Sequence, residues 1–184
     1  MATTTKLTYD DLARFPDDGK RYELVNGEVR VSPAPLDPHQ AVSGNLFLAL
    51  SVHVRERQLG RVRAAPYDII LNPHTTFEPD IFSVREGRWA GLMRDGRVYG
   101  PPDLCIEIAS PSTRHYDRTT KYAQYAHFGV WEYWIVDPAL RTVETFTREQ
   151  GVYRALGVFN EDASVVSRVL PELVLPVAAV FADT

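Results

Sequence analysis

Residues 104–113 read LCIEIASPST, and this stretch lies at the centre of the predicted fold. Residues 104–109 are apolar except for Glu107, so they predict a buried strand that carries a single acid. The SPST segment ends this strand and offers caps for a helix that we expect to reach about Phe128. Because burial disfavours an ionised carboxylate, Glu107 is expected to have a cation beside it.

A second acid and a lysine lie close to this strand in the sequence. Residues 77–84, FEPDIFSV, predict the preceding strand and carry Asp80, while Lys121 falls on the helix that follows Glu107. A hard cation such as Mg²⁺ is bound through one or two carboxylates, with water and phosphate oxygens at its remaining positions. An acid on each of two strands and a nearby lysine are therefore the minimum set for holding a divalent metal against a phosphate.

Each of these residues also has a purely structural interpretation. Asp80 follows a proline, where an acid can simply begin a strand. Lys121 lies four residues after Asp117, so the two could form an exposed ion pair worth less than about 1 kcal/mol. Asp117 is then either this partner or a residue that supports the site from behind. Five aromatic residues are interpreted as core or dimer contacts: Tyr122, Tyr125, Trp131, Tyr133 and Trp134.

Length and composition indicate one domain spanning residues 1–184. The chain has 184 residues, 45% of them hydrophobic and 24% charged, a mix typical of one globular domain with its own core. The net charge of −4 argues against affinity from a broad basic surface, although a bound metal can supply positive charge locally. Cys105 is the only cysteine, so we expect no internal disulfide and no cysteine-based zinc cluster.

The sequence carries no recognisable targeting or membrane signal. Its amino terminus, MATTTK, lacks the apolar segment of a signal peptide. No stretch is long and apolar enough to cross a membrane. We therefore expect a cytoplasmic protein with no membrane partner.

The amino-terminal part of the chain predicts a helix and a hairpin. Residues 8–15 predict a short helix with a threonine N-cap and acids in its first turn. Residues 21–25 and 28–31 alternate polar and apolar side chains around an Asn-Gly pair, the strongest short signal for a β-hairpin. Residues 32–38 form a proline-rich connector to the next element.

The rest of the chain predicts helices interspersed with strands. Residues 39–58 have apolar side chains at helical spacing and predict the longest helix. Residues 85–101 contain four glycines among charged residues and predict a surface loop with a helical turn near Trp89. Further strands are predicted at residues 61–64, 67–71, 131–136, 142–146 and 153–156, with a short strand and a final helical turn in residues 165–181. This order predicts an α/β fold in which helices flank a mixed sheet.

With these elements placed, the sequence resembles the Uma-two family of the PD-(D/E)xK nuclease superfamily. The matching motifs are YELVNGE at 22–28, His39, Pro79-Asp80, EIASPST at 107–113, Asp117 with Lys121, and GVWEYW at 129–134. They cover nearly the whole chain, and their combination is specific, whereas Pro-Asp alone is common in turns. The resemblance implies a restriction-endonuclease-like mixed β-sheet flanked by helices, in a single domain with an N-terminal β-hairpin.

The resemblance also implies roles for individual residues. Asp80 and Glu107 would bind the metal, with the carbonyl oxygen of Ile108 as a third contact. The lysine of this superfamily usually lies two residues after the acid, but that position is Ala109 here, so Lys121 would reach the site from the helix instead. The remaining implied site residues are an acid that completes the site, an auxiliary histidine and a supporting acid: Glu23, His39 and Asp117.

The implied activity is metal-assisted hydrolysis of phosphodiester bonds in nucleic acid, with DNA as the expected substrate and a homodimer as the expected assembly. One or two Mg²⁺ or Mn²⁺ ions would lower the pKa of a bound water and clamp the phosphate. Lys121 would orient that water or stabilise the charge that develops on phosphorus. The alternative is a catalytically silent descendant of the fold that acts in binding or assembly. Convergence of Asp80, Glu107 and Lys121 would favour the nuclease.

Overall fold

Two six-stranded sheets form the framework of the fold. The computed structural model describes residues 6–32 and 37–184, so residues 33–36 of the predicted connector lie outside the described residues. The strands are β1 Arg21–Val25, β2 Glu28–Ser32, β3 Gly60–Ala64, β4 Ile69–Asn72, β5 Thr75–Phe77, β6 Ile81–Arg85, β7 Met93–Arg94, β8 Arg97–Tyr99, β9 Leu104–Ile108, β10 Glu132–Asp137, β11 Thr142–Glu149, β12 Val152–Phe159, β13 Ser164–Val166 and β14 Val174–Pro176. The helices are α1 Tyr9–Leu12, α2 Asp37–Glu56, α3 Glu86–Leu92, α4 Arg114–Tyr116, α5 Tyr122–Phe128 and α6 Val177–Val180, with a π-helical turn, Asp117–Lys121, between α4 and α5.

Both large sheets are mixed. The first has the strand order β2-β1-β5-β4-β8-β7 and the second β12-β11-β10-β9-β6-β3, while β13 and β14 form a separate two-stranded ribbon. Strand β9 pairs in parallel with β10, and β4 pairs in parallel with β8; the other pairs are antiparallel. The predicted fold class is confirmed, but the strands are divided between two sheets.

The LCIEIA strand lies inside the second sheet. All five residues of β9 are buried, with β10 on one side and β6 on the other. Its side chains alternate between two clusters: Ile106 and Ile108 pack in the cluster that includes α2, whereas Cys105 packs in the cluster that includes α5. By this alternation, Glu107 faces the same side of the sheet as α5.

Helix α2 covers the opposite face of the second sheet. Its buried side chains recur every four residues, as the predicted helical spacing requires: Val42, Leu46, Leu50 and Val54. They pack with apolar residues of β9 and β10 in one core cluster. The helix predicted at residues 39–58 is confirmed, and its amino-terminal turn carries His39 to the end of the sheet where the candidate site lies.

The predicted hairpin is confirmed. Asn26 and Gly27 both have positive φ, 53° and 86°, which a two-residue hairpin turn of this type requires. A Cβ atom at Gly27 would lie 2.6 Å from the Cβ atom of Lys6, so the turn also needs the absence of a side chain. The predicted first helix is shorter than expected, and its Thr8 N–H and hydroxyl both donate to the carboxylate of Asp11.

Two sequence-based predictions for the middle of the chain were wrong. Residues 77–84 do not form one strand, because β5 ends at Phe77 in the first sheet and β6 begins at Ile81 in the second. Pro79 cannot donate a ladder hydrogen bond, and the chain crosses between the sheets there, so Asp80 lies in the crossing rather than inside a strand. Residues 85–101 contain β7 and β8 rather than a surface loop, although the helical turn predicted near Trp89 is present as part of α3.

Strand β10 begins one residue later than predicted. Trp131, which was predicted to lie in the buried strand, is 47% exposed, and the strand begins at Glu132.

Glu132 is a buried acid with a structural role. Four groups donate to the Glu132 carboxylate: the Trp134 indole at 2.6 Å, the Ser167 hydroxyl at 2.8 Å, and the Arg168 and Val169 amides at 2.7 and 3.0 Å. This carboxylate ties residues 167–169 to the second sheet.

Glu132→Gln is expected to lower the free energy of unfolding by about 2 kcal/mol, because an amide nitrogen would replace an oxygen that accepts from buried donors. Urea unfolding of the wild type and the variant measures the difference. Glu149→Gln, at an exposed position at the end of β11, is the matched control and should change stability by less than about 0.5 kcal/mol. Equal stability of Glu132→Gln and the wild type would contradict this role.

Candidate active site

Lys121 and Glu107 meet on one side of the second sheet. The Lys121 Nζ atom lies 2.9 Å from Oε1 of Glu107 and 2.9 Å from Oε1 of Glu23. All three side chains are almost fully buried, with only 4% of the Lys121 side chain exposed. The interpretation of Lys121 and Asp117 as an exposed ion pair is therefore wrong: both residues are buried, and the partners of Lys121 are Glu23 and Glu107.

The π-helical turn places Lys121 in this position. A π turn is uncommon and occurs mostly as a single turn at functional sites. Two tyrosine hydroxyl groups of the aromatic core hold the π-helical turn and Glu107 in place. Tyr133 donates to the carbonyl oxygen of Asp117, in the turn, at 3.1 Å, and Tyr125 donates to Oε1 of Glu107 at 2.7 Å. The aromatic residues predicted as core therefore include two that contact the site directly.

Asp80 adjoins Glu107 through the backbone of β9. The amide of Ile108, the residue after Glu107, donates to Oδ2 of Asp80 at 2.7 Å. The same oxygen lies 3.2 Å from Nε2 of His39, and Oδ1 lies 2.9 Å from Nη1 of Arg21. Asp80 thus joins β9, α2 and β1 at one point. Ile108 contacts Asp80 through its amide, and the metal contact expected of its carbonyl oxygen stays a prediction.

The partners of Asp80 keep it ionised. Burial acts to raise the pKa of Asp80, but the hydrogen bond and charge of His39, the charge of Arg21 and the amide of Ile108 together lower it to about 2. An acid with this pKa remains a carboxylate at any physiological pH. It therefore carries the negative charge that an oxygen ligand of a cation needs.

Burial shapes the charges around Lys121. Burial raises the pKa of Glu107 well above its ordinary value; Lys121 opposes this effect, whereas Asp80 adds to it. Burial acts to lower the pKa of Lys121, but the surrounding carboxylates of Glu107, Glu23 and Asp117 raise it well above its ordinary value. Lys121 is therefore a permanent cation among these acids.

Two further acids extend the cluster. Burial raises the pKa of Asp117 to about 6 against the effect of Lys121, and it raises that of Glu78 to about 7 against the effect of Arg21. The Nε atom of Arg21 lies 2.7 Å from Oε1 of Glu78, and the Glu78 amide donates to Oε1 of Glu23 at 3.1 Å. The cluster therefore contains five acids and only two permanent cations.

Four of these acids, Glu23, Asp80, Glu107 and Asp117, line a cavity of about 700 Å³. Its wall also includes the hydroxyl-bearing loop Ser110–Thr113 after β9, and Arg141. Three buried polar atoms of residues that line this cavity have no hydrogen-bond partner within the described part of the chain: Nδ1 of His39, the hydroxyl of Tyr116 and Oδ2 of Asp117. Such atoms are normally satisfied by water or a ligand.

This donor set fits a hard divalent cation. Carboxylate oxygens are the ligands that Mg²⁺ and Mn²⁺ prefer. A bound cation would balance the excess negative charge of the acids and would give the unpaired Oδ2 of Asp117 a partner. Within residues 6–32 and 37–184, no three His, Cys, Asp or Glu side chains form a metal-binding group. A hard cation bound through one or two carboxylates takes its remaining ligands from backbone carbonyl, water and substrate oxygens.

The structure gathers every predicted site residue around this cavity. The set is Glu23, His39, Asp80, Glu107, Ile108, Asp117 and Lys121. Sequence analysis missed Arg21, Glu78 and Tyr125. Arg21 is two residues before Glu23, so it lies on the same face of its strand, and Tyr125 is four residues after Lys121 on one helical face; both spacings were visible in the sequence.

A mixed α/β fold with two carboxylates and a lysine at one cavity is that of the restriction-endonuclease-like class. The chain belongs to the family described as "Uma2: Putative restriction endonuclease", which matches residues 8–178. A solved structure titled as a "putative nuclease belonging to DUF820", from Anabaena variabilis ATCC 29413, has a similar fold: TM-score 0.79, 23% identity, and coverage of 95% of this chain and 97% of that one. No curated protein matches this sequence.

One observation bears on the expected absence of a membrane partner. Among the helices of the described residues, none combines the length and the apolar character that crossing a bilayer requires.

Proposed function

We propose that this protein is a metal-dependent endonuclease that hydrolyses phosphodiester bonds in nucleic acid, with DNA as the substrate. The observation that carries the proposal is the convergence of Asp80, Glu107 and Lys121 on one cavity, through the 2.9 Å contact of Lys121 with Glu107 and the 2.7 Å hydrogen bond from Ile108 to Asp80. The nuclease description of the family and of the solved relative supports the same reaction.

Each residue of the site has a defined task in this proposal. Asp80 and Glu107 hold the metal, with the carbonyl oxygen of Ile108 as a third protein contact. Mg²⁺ or Mn²⁺ bound there would lower the pKa of a water molecule and neutralise charge on the phosphate. Lys121 supplies a fixed positive charge beside these ligands, where it stabilises the negative charge that develops during hydrolysis.

The remaining residues position those that act directly. Glu23 holds Lys121 against Glu107 through a 2.9 Å contact. His39 contacts Oδ2 of Asp80 at 3.2 Å and so fixes the orientation of that carboxylate. Asp117 supports Lys121 from the start of the π-helical turn. The proposal includes a cytoplasmic homodimer, in which two such sites would act on the two strands of a duplex.

Metal binding tests this proposal directly. Titration calorimetry with Mn²⁺ and Mg²⁺ should detect binding to the wild type, and Asp80→Asn and Glu107→Gln should each weaken it by at least about 100-fold. Loss of residues that only support a metal ligand already costs about 10- to 100-fold, so loss of a ligand should cost at least as much. Metal-dependent nicking of supercoiled plasmid, measured in parallel, should be lost in both variants.

The control is Asp162→Asn, which removes one carboxylate from an exposed position outside the cavity. It should bind metal and nick plasmid as the wild type does. Absence of metal binding by the folded wild type at millimolar concentration would contradict the nuclease proposal and favour the catalytically silent module. Binding that survives in both variants would place the metal elsewhere and contradict the assigned ligands.

A further inference from the structure

Arg21 occupies the carboxylate that the proposed metal would need. Its Nη1 atom lies 2.9 Å from Oδ1 of Asp80, and its Nε atom lies 2.7 Å from Oε1 of Glu78. The guanidinium group therefore bridges two acids, and its Nη1 atom also donates to the backbone carbonyl oxygen of Glu78 at 3.4 Å. The roles proposed above for the site give this bridge no task.

A cation that binds Asp80 has to compete with its present partners, which are the Ile108 amide, His39 and Arg21. The Ile108 amide is part of β9 and cannot leave Asp80 without disrupting the sheet. A divalent ion beside Asp80 would also repel a guanidinium group that contacts the same carboxylate. Of the two remaining partners, Arg21 is the permanent cation that a divalent ion repels, and it can move because 17% of its side chain is exposed at the cavity and Glu78 would still hold it.

The other permanent cations that line the cavity have partners other than Asp80. Lys121 lies between two carboxylates and is 4% exposed. Arg141 contacts both oxygens of Glu161, at 2.6 and 2.7 Å, and also donates to the carbonyl oxygen of Phe181. The partners of Arg141 are not proposed metal ligands, and Lys121, which contacts the proposed ligand Glu107, is also held by Glu23. Arg21 is therefore the cation that metal binding would release. A guanidinium group is well suited to bind phosphate through two parallel hydrogen bonds.

We propose that Arg21 is a substrate-binding residue of this site. Its guanidinium group leaves Asp80 when a divalent cation binds there and then contacts a phosphate of the nucleic acid beside the scissile bond, while Glu78 retains the side chain in the cavity. This inference rests on the proposed nuclease function. It predicts that replacement of Arg21 strengthens metal binding but weakens substrate binding.

Arg21→Gln is expected to bind Mn²⁺ about tenfold more tightly than the wild type, measured by calorimetry without nucleic acid, because the competing charge is gone. At saturating Mn²⁺, the KM for cleavage of a DNA duplex should rise by about tenfold or more, because a charge-assisted hydrogen bond to the phosphate is lost. A purely structural role for Arg21 predicts the opposite sign for the metal, since a loosened Asp80 would bind Mn²⁺ more weakly.

Two further variants complete the test. Arg154→Gln changes the net charge equally at an exposed position on β12, where Arg154 lies 3.5 Å from Glu149, and it should alter neither quantity by more than about twofold. Arg21→Lys keeps the charge but loses the planar fork, so it should retain the metal affinity of the wild type and still raise KM. If Arg21→Gln does not fold, Arg21→Lys decides: an unchanged KM would overturn the proposal.

The outcomes separate this inference from the nuclease proposal. A wild type that binds Mn²⁺ and cleaves DNA, together with an Arg21→Gln variant whose metal affinity is unchanged or weaker, overturns the role of Arg21 alone. Mn²⁺ binding by Arg21→Gln but not by the wild type would show that Arg21 blocks the metal position instead of leaving it, and it would contradict both proposals. Absence of binding in both proteins contradicts both proposals.

Discussion

Replacement of Lys121 by methionine is expected to lower the free energy of unfolding by about 3 to 5 kcal/mol, the usual cost of removing one partner from a buried charge cluster. Lys121 is the shared cation of Glu23 and Glu107, which are themselves almost completely buried. Methionine fills a similar volume but leaves both carboxylates without a cation. Urea unfolding measures the loss, and plasmid nicking should fall by at least about 100-fold, as for loss of one charge-stabilising group from an active site.

The triple variant Lys121→Met, Glu23→Gln, Glu107→Gln should recover much of the lost stability without recovering activity, because it removes the buried acids together with their cation. The surface control is Lys20→Met. Lys20 pairs with Asp18 but is 54% exposed, so its loss should cost less than about 1 kcal/mol. A cost as small for Lys121→Met as for Lys20→Met would contradict the view that Lys121 compensates the two acids.

The elements with strong local signals could be predicted from the sequence. The β9 strand and helix α2 have apolar patterns that persist over whole elements, and the Asn26-Gly27 turn has a backbone requirement that few other residue pairs meet. Glu107 was identified because it interrupts an apolar strand. These signals are local, so they can be recognised without knowing which strands and helices pack together.

The wrong predictions concern the places where the sheets meet. Asp80 lies where the chain leaves one sheet and enters the other, and the apolar residues before and after Glu78-Pro79-Asp80 made the two short strands resemble one. The hairpin of β7 and β8 turns at Asp95-Gly96, both with positive φ, which is the same signal that was recognised at residues 26–27. There the short strands, two and three residues long, gave too little pattern to identify.

The arrangement of the site depends on tertiary contacts that no single segment contains. The π-helical turn changes which side chains share a face, so the partners of Lys121 come from β9 and β1 rather than from its own helix. The contrast between Glu132 and Glu107 also appears only in three dimensions. Glu132 receives four hydrogen bonds from neutral donors, whereas Glu107 shares one lysine with Glu23. In this protein, the buried acid at the candidate site differs from the structural one because it shares a single cation with a second acid.

The metal-free protein is expected to gain about 3 kcal/mol of stability as the pH falls from 8 to 5. Burial raises the pKa of Glu78 to about 7 and that of Asp117 to about 6, whereas both are near 4 in the unfolded chain. Between those values the folded protein binds more protons than the unfolded chain, so its stability falls as the pH rises. One pKa unit corresponds to about 1.4 kcal/mol, and the sum is reduced for partial solvent access.

The other perturbed groups of the cluster do not reverse this trend. Asp80, with its pKa lowered to about 2, contributes stability that is lost only as the pH falls from about 4 towards 2. The pKa of Lys121 is raised above its ordinary value, so its contribution is lost only in strongly alkaline solution. Glu107, whose pKa is raised by burial, acts in the same direction as Glu78 and Asp117.

Urea unfolding at pH 5, 6, 7 and 8 in the presence of a chelator measures this dependence, and Asp117→Asn is the matched variant. Its gain between pH 8 and pH 5 should be smaller than that of the wild type by about 1 to 2 kcal/mol, and the comparison cancels the contributions of the histidines. Equal pH dependence of the two proteins would contradict the raised pKa of Asp117 in the folded protein.

The repulsion among these buried carboxylates also links the stability of the protein to binding of the proposed metal. Because the cost at pH 8 comes from carboxylates that outnumber their cations, Mn²⁺ should stabilise the wild type by about 3 kcal/mol when present at about 100 times its dissociation constant. The stabilisation by a fixed Mn²⁺ concentration should be smaller at pH 5, where protons already occupy part of the cluster. Glu107→Gln should lose the stabilisation by Mn²⁺ at both pH values. Equal stabilisation of wild type and Glu107→Gln would show that the excess acids serve something other than cation binding.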